Sequence, residues 1–128
     1  MNLLLDTHIW IWSQLDPARI GKNVAQVLSS DANELWLSPV SVWEALTLMH
    51  KGRVQVDDPP TWVEQASSQM QEAPLTREIV RASFALSFSH ADPADRFLAA
   101  TAKVLKLTLI TADKRLLGLG EISTLANR

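Results

Sequence analysis

The chain has 128 residues, 47% of them apolar, and its twelve basic and fourteen acidic side chains leave a net charge of −2. That composition excludes a disordered chain and suggests a single domain over residues 1–128. The absence of cysteine excludes disulfides and thiolate metal sites, and the three scattered histidines lack the spacing of a histidine zinc site.

Leu3 to Leu5 form a short apolar run, expected to be a buried strand, that ends at Asp6. The opening "MNLLLDTHIW" meets a charge at Asp6 and lacks the basic flank of a signal peptide. No apolar run approaches the ~20 residues needed to cross a bilayer, so a soluble, cytoplasmic protein without a membrane partner is expected. "THIWIWSQL" is expected to be a short helix. In "DPARIGKNVAQVLSS", Asp16 at the cap and Pro17 at the first helical position predict a second helix. "ELWL" is the next strand. It runs into "SPVSVWEALTLMHKG", where Ser38 caps, Pro39 opens and Gly52 closes a helix. "VQVDDPP" has turn chemistry, "TWVEQASSQMQ" is expected to be helical and "APL" a short strand. From Thr76, "TREIVRASFALSF" predicts a helix, and Asp92 with Pro93 starts another. "LTLIT" is a strand before "ADKRLLGLG", and "ISTL" a final one. Strands alternating with helices predict a three-layer α/β fold with a mainly parallel sheet.

Four acids occupy positions that matter in such a fold. Asp6 directly follows the first strand, and Asp113 lies just past the strand ending at Thr111. Ligands of open parallel sheets gather outside the carboxyl ends of the strands. Glu44 is the only charged residue between Ser38 and Met49, in a helix apolar around nearly its whole circumference and so expected to be largely buried. A lone carboxylate there costs several kcal/mol unless it is paired, protonated or bound to a cation. An arginine partner or a narrow polar seam would also satisfy it.

Asp95 falls at the third position of a helix capped by Asp92, where it could simply favour the helix end, worth ~1 kcal/mol. Leu98, Ala102 and Leu105 continue its stripe, however, and that stripe must face the core. Asp6 alone could end a strand, and Asp113 could be a turn or cap. Together, carboxylates ~4 Å apart would repel by ~4 kcal/mol per pair at an effective dielectric near 20, more than a cap returns. Convergence would therefore imply a counter-ion or raised pKa values, and oxygen-only ligands suit Mg²⁺ or Mn²⁺.

Thr7 and Thr111 flank the acids and could orient their oxygens. His8 lacks a partner at metal spacing and is assigned a structural role. The five tryptophans fit a core better than base-stacking platforms, although Trp10 and Trp12 could serve a partner surface. The basic pairs, Arg77 with Arg81 among them, each fit a solvated surface of mixed charge.

With these residues placed, the chain resembles the PIN-domain family, and in particular its VapC-like toxins of bacterial toxin–antitoxin pairs. The motifs that carry the resemblance are "LLLDTHIWIW", "SPVSVWEALTLMHKGRV", "DPADRFLAATA" and "LITADKRL", in the family's order and spacing. The resemblance implies about five parallel strands and an acidic pocket of Asp6, Glu44, Asp95 and Asp113, with Asp95 rather than Asp92 as the catalytic acid. It also implies Mg²⁺- or Mn²⁺-dependent cleavage of RNA, a cognate antitoxin and a homodimer. One departure is Leu48, where many relatives carry a lysine. Two other phosphoryl-transfer classes fit less well, because "DTH" gives neither the acidic pair of a receiver domain nor the Asp-x-Asp of a haloacid-dehalogenase-type phosphatase. A catalytically silent RNA-binding or assembly module and a housekeeping nuclease are the remaining alternatives.

Overall fold

The computed structural model describes residues 1–87 and 92–128. Five parallel strands run in the order β3-β2-β1-β4-β5: β1 is Asn2–Leu5, β2 Glu34–Leu37, β3 Gln71–Glu72, β4 Thr108–Thr111 and β5 Ser123–Ala126. The central strand β1 pairs with β2 through Leu3↔Leu35 and with β4 through Leu4↔Leu109. The helices are α1 (Thr7–Leu15), α2 (Lys22–Ser29), α3 (Pro39–His50), α4 (Pro59–Ala66), α5 (Arg77–Ala85), α6 (Pro93–Leu105) and α7 (Lys114–Leu117). None among the described residues is long and apolar enough to cross a membrane.

Side-chain alternation on β1 divides the core between the two faces of the sheet. Leu3 and Leu5 join Ile9, Trp10, Val24, Ala45 and Ile110 on the side of α1 to α4. Leu4 joins Ile79, Leu98, Ala102, Leu109 and Leu116 on the side of α5 to α7. A strand covered on both faces is apolar throughout, which is why "LLL" does not alternate. The expected three-layer α/β architecture is therefore present. The cap is as expected at Ser38, whose hydroxyl accepts from Val40 N at 3.1 Å, and α5 is capped by Thr76, which accepts from Ile79 N at 3.2 Å. Gly52 closes α3 with φ +73°, in the left-handed region that favours glycine.

Several local expectations are corrected. The helix expected from Pro17 is broken into a 3₁₀ turn, Pro17–Arg19, and α2, which begins after Gly21. The reason is tertiary: the carbonyl of Arg128 accepts from both Asn23 N and Val24 N and so serves as the cap of α2. A Cβ on Gly21 would stand 1.8 Å from the Arg128 carbonyl carbon. Gly21→Ala is accordingly expected to displace this contact and cost about 1–2 kcal/mol, the worth of two hydrogen bonds, measurable as a lowered urea midpoint. Helix α4 ends at Ala66, short of the expected Gln71, and the third strand is Gln71–Glu72 instead of Ala73–Leu75. Helix α5 stops at Ala85, and Phe88 lies outside the described residues.

Trp10 is fully buried, packs on Trp62 with centroids 4.9 Å apart and donates its indole N–H to Ala66 O, which removes it from any partner surface. Trp12 is half-buried beneath the Arg19 guanidinium. Helix α3 is not buried all round, since Trp43 is 65% exposed.

Candidate active site

The chain passes β1→β2→β3 toward one edge of the sheet and then crosses to β4→β5 on the other side of β1. The direction reverses between β1 and β4, so a crevice opens outside their carboxyl ends. Asp6 leaves β1 there and Asp113 follows β4, while α3 and α6 bring Glu44 and Asp95 to the same end.

Asp6 is 9% exposed and begins α1 as its N-cap. Its Oδ1 accepts from Thr7 N at 2.8 Å and its Oδ2 from Thr111 Oγ1 at 2.6 Å. Its own N–H donates to Ile110 O at 3.0 Å, which ties the end of β1 to β4. Thr7, also buried, turns its hydroxyl the other way and donates to Glu44 Oε1 at 2.5 Å, with Ser41 Oγ 2.9 Å distant. Thr111 Oγ1 in turn accepts from Asp113 N at 3.0 Å. The two threonines thus link three of the four acids through hydroxyls, as their flanking positions suggested. Ser41 was not foreseen, although its place three residues before Glu44 puts it on the same face of α3.

Asp113 caps α7, accepting from Arg115 N at 2.8 Å, and its Oδ2 pairs with Arg115 Nη2 at 3.0 Å. Arg115, a counter-ion that sequence reasoning missed, is brought to Asp113 by the first turn of α7. Asp92 caps α6 through Ala94 N at 3.0 Å. Asp95, three residues later, is buried with Leu98 and Ala102 at the inner end of their stripe. The two aspartates are therefore separated as the stripe requires. His8 is exposed, its ring 5.7 Å from that of Trp12. Leu48 packs partly buried against the core, so α3 contributes no base at that position.

Burial and mutual repulsion act together on these carboxyls. Burial raises Asp6 above the ordinary carboxylate range, against the opposing hydrogen bonds from Thr111 and Thr7. It raises Glu44 likewise, with the charge of Asp6 adding to it. Asp95 is pushed up to about 7, first by burial and then by the charges of Asp92, Asp6, Asp113 and Glu44. The four acids therefore share one electrostatic neighbourhood. Among the described residues, no three such side chains already converge tightly enough to grip an ion. The donor set is nonetheless all oxygen, and a hard divalent cation would relieve both the repulsion and the desolvation cost of ionising it. These residues fit Mg²⁺ or Mn²⁺.

The resemblance to known proteins follows the same lines. The chain is 31% identical over 117 residues to Ribonuclease VapC22 of Mycobacterium tuberculosis, covering 90% of this chain and 89% of that protein. Its fold superposes on a chain of VapBC2 from Rickettsia felis, bound to a promoter DNA fragment, with a TM-score of 0.78 at 14% identity, covering 98% of each. A chain of DNA-bound VapBC from Salmonella typhimurium gives a TM-score of 0.76 at 12% identity, covering 100% of this chain and 99% of that one. Residues 3–122 match the PIN domain. With five parallel strands, acids at the switch point and a family match over nearly its whole length, the chain belongs to the PIN-domain family.

Proposed function

We propose that this protein is a cytoplasmic, Mg²⁺- or Mn²⁺-dependent endoribonuclease, the toxin of a toxin–antitoxin pair, acting as a homodimer and restrained by a cognate antitoxin. The observation that carries the reading is the gathering of Asp6, Glu44, Asp95 and Asp113 at one sheet edge, with Asp95 held near neutrality at about 7. The 31% identity to a named ribonuclease supports the activity, and the likeness to VapBC complexes supports the partner.

Asp6 and Asp95 are assigned as direct metal ligands, with Glu44 and Asp113 completing the site. The bound ion would lower the pKa of a water and offset charge on the phosphodiester. The remaining work falls to the chain. Thr111 and Thr7 N hold both Asp6 oxygens in place, each with a lone pair left to coordinate. Thr7 fixes Glu44 in the same way. Asp95, pushed up to about 7 without metal, must give up its proton to coordinate the ion. Arg115 holds Asp113 through both of its oxygens at the rim of the site.

The test is joint. Purified protein is expected to cut single-stranded RNA only with Mg²⁺ or Mn²⁺. A hundredfold excess of metal over its Kd should stabilise the fold by ~2.7 kcal/mol, or roughly 10 °C in Tm. Asp6→Asn should lose both responses. Cutting that persists in a chelator, or a wild type whose Tm ignores metal, would remove the basis for this reading.

A further inference from the structure

Beside the acidic pocket lies a cavity of about 440 Å³, within the range of small-molecule sites, lined by Pro39, Val40, Trp43, Leu75, Pro93 and Phe97. Its walls are apolar, and Glu44 and Asp92 stand at its edge, so it borders the acid cluster. Trp43 is 65% exposed and Leu75 40% exposed at this groove. The core does not need Trp43: α3 fills it with Ala45, Val42, Leu48 and Met49. Leu75 also borders a second, open depression with Thr76, Arg77, Glu78, Val80 and Arg81, where both arginines are exposed.

The surface thus runs from the acids to an apolar groove and then to a depression where Arg77 and Arg81 outweigh Glu78. A metal-dependent nuclease reading of the acid cluster gives that order a meaning. A scissile phosphate needs the acids and their cation, the neighbouring base needs a flat apolar surface, and the following phosphate needs positive charge. We propose that the Trp43 groove takes one unstacked nucleobase beside the scissile phosphate of single-stranded RNA, and that Arg77 and Arg81 hold the phosphates beyond it. This rests on the nuclease reading for the position of the cut, but not for the binding itself. An exposed indole stacks any base, so Trp43 positions RNA without choosing sequence. The arginines contribute through counterion release.

The experiment uses the full chain and single-stranded RNAs carrying one abasic ribose, moved stepwise through the sequence. In the metal-dependent cleavage assay, an abasic position beside the cut is expected to lower kcat/KM roughly ten- to hundredfold, the scale of one base stack. Trp43→Ala should lower it as much on intact RNA and little further on that abasic RNA, while Trp43→Phe keeps most of the activity. Binding is read separately from cleavage in the Asp95→Asn protein, by the NMR signal of the Trp43 indole N–H, assigned by its loss in Trp43→Phe. Intact RNA should shift this signal and the abasic RNA should not. Arg77→Ala with Arg81→Ala should make the slope of log K against log salt shallower by roughly 1.4, the value for two phosphate contacts on a single strand. An indole signal unmoved by saturating RNA, or losses that simply add, overturns the proposal even if cleavage is robust. A Trp43→Ala variant that changes sedimentation and leaves RNA binding intact makes the groove an interface between copies and also overturns it. If no RNA is cut with any metal, the nuclease reading fails, and the indole signal still decides the groove.

Discussion

Asp95→Asn is expected to abolish metal-dependent cleavage, lowering kcat/KM by at least about 10³-fold, equivalent to the several kcal/mol that a metal ion supplies to a phosphoryl transition state. Asn keeps the shape of Asp95 but cannot ionise, so it removes a ligand charge without opening a cavity. Asp92→Asn is the matched control. Asp92 caps α6 through Ala94 N, and asparagine caps about as well as aspartate. What is lost is the attraction of its charge for the helix end, about 0.3–1 kcal/mol. Cleavage by Asp92→Asn should stay within a few-fold of wild type while its urea midpoint falls slightly. Initial rates and denaturant melts on both variants decide the matter. Equal loss of cleavage in the two would show that the pair acts as a unit and that burial does not separate their roles.

Stability without metal is expected to fall as pH rises from about 4 to about 7. Asp95 has its folded pKa raised from 3.8 to about 7, so folding favours its protonated form. Its contribution is complete below the unfolded pKa near 4 and is lost as pH rises through about 7. The full shift corresponds to about 4 kcal/mol. Water at the mouth of the pocket screens part of it, leaving on the order of 2 kcal/mol. Burial raises Asp6 and Glu44 in the same direction, so they add to the slope. Asp95→Asn should therefore stabilise the metal-free protein at pH 8 and flatten its pH profile. Metal should reverse the trend, because ligation requires the ionised carboxylates. Denaturant melts in chelator at pH 5, 6.5 and 8 measure all of this. A wild type and Asp95→Asn with parallel profiles would mean that Asp95 is ordinarily solvated.

The sequence made legible what depends on local pattern. Strand runs, the caps at Ser38 and Asp92, and the inward turn of Asp95 each follow from spacing within one element. The five-strand parallel sheet and the neighbourhood of four acids required the family resemblance as well, since no spacing gives distance between elements. What escaped depends on contacts far apart in the chain. The break at Gly21 exists because Arg128 caps α2. The end of α4 at Ala66 belongs with the Trp10 indole, which claims the Ala66 carbonyl. The assignment of Arg115 to Asp113 needed the turn of α7. Trp43 was misjudged because helix α3 is apolar on a face that the core does not reach. Its composition describes a buried helix, but its position at the mouth of the crevice leaves the indole in solvent.

The hydroxyl of Thr111 that grips Asp6 spans 105 residues of chain. A ribosome has therefore released Asp6, Thr7 and Glu44 long before the strand that secures Asp6 exists. Until β4 emerges, β1 can pair on one side only, through β2, and Asp6 lacks both the Thr111 bond and the Ile110 carbonyl. Nascent and prematurely ended chains thus carry most of the acids in an unassembled form. The pocket closes only once β4 is made, so the timing of any hazard it poses is written into the order of the strands.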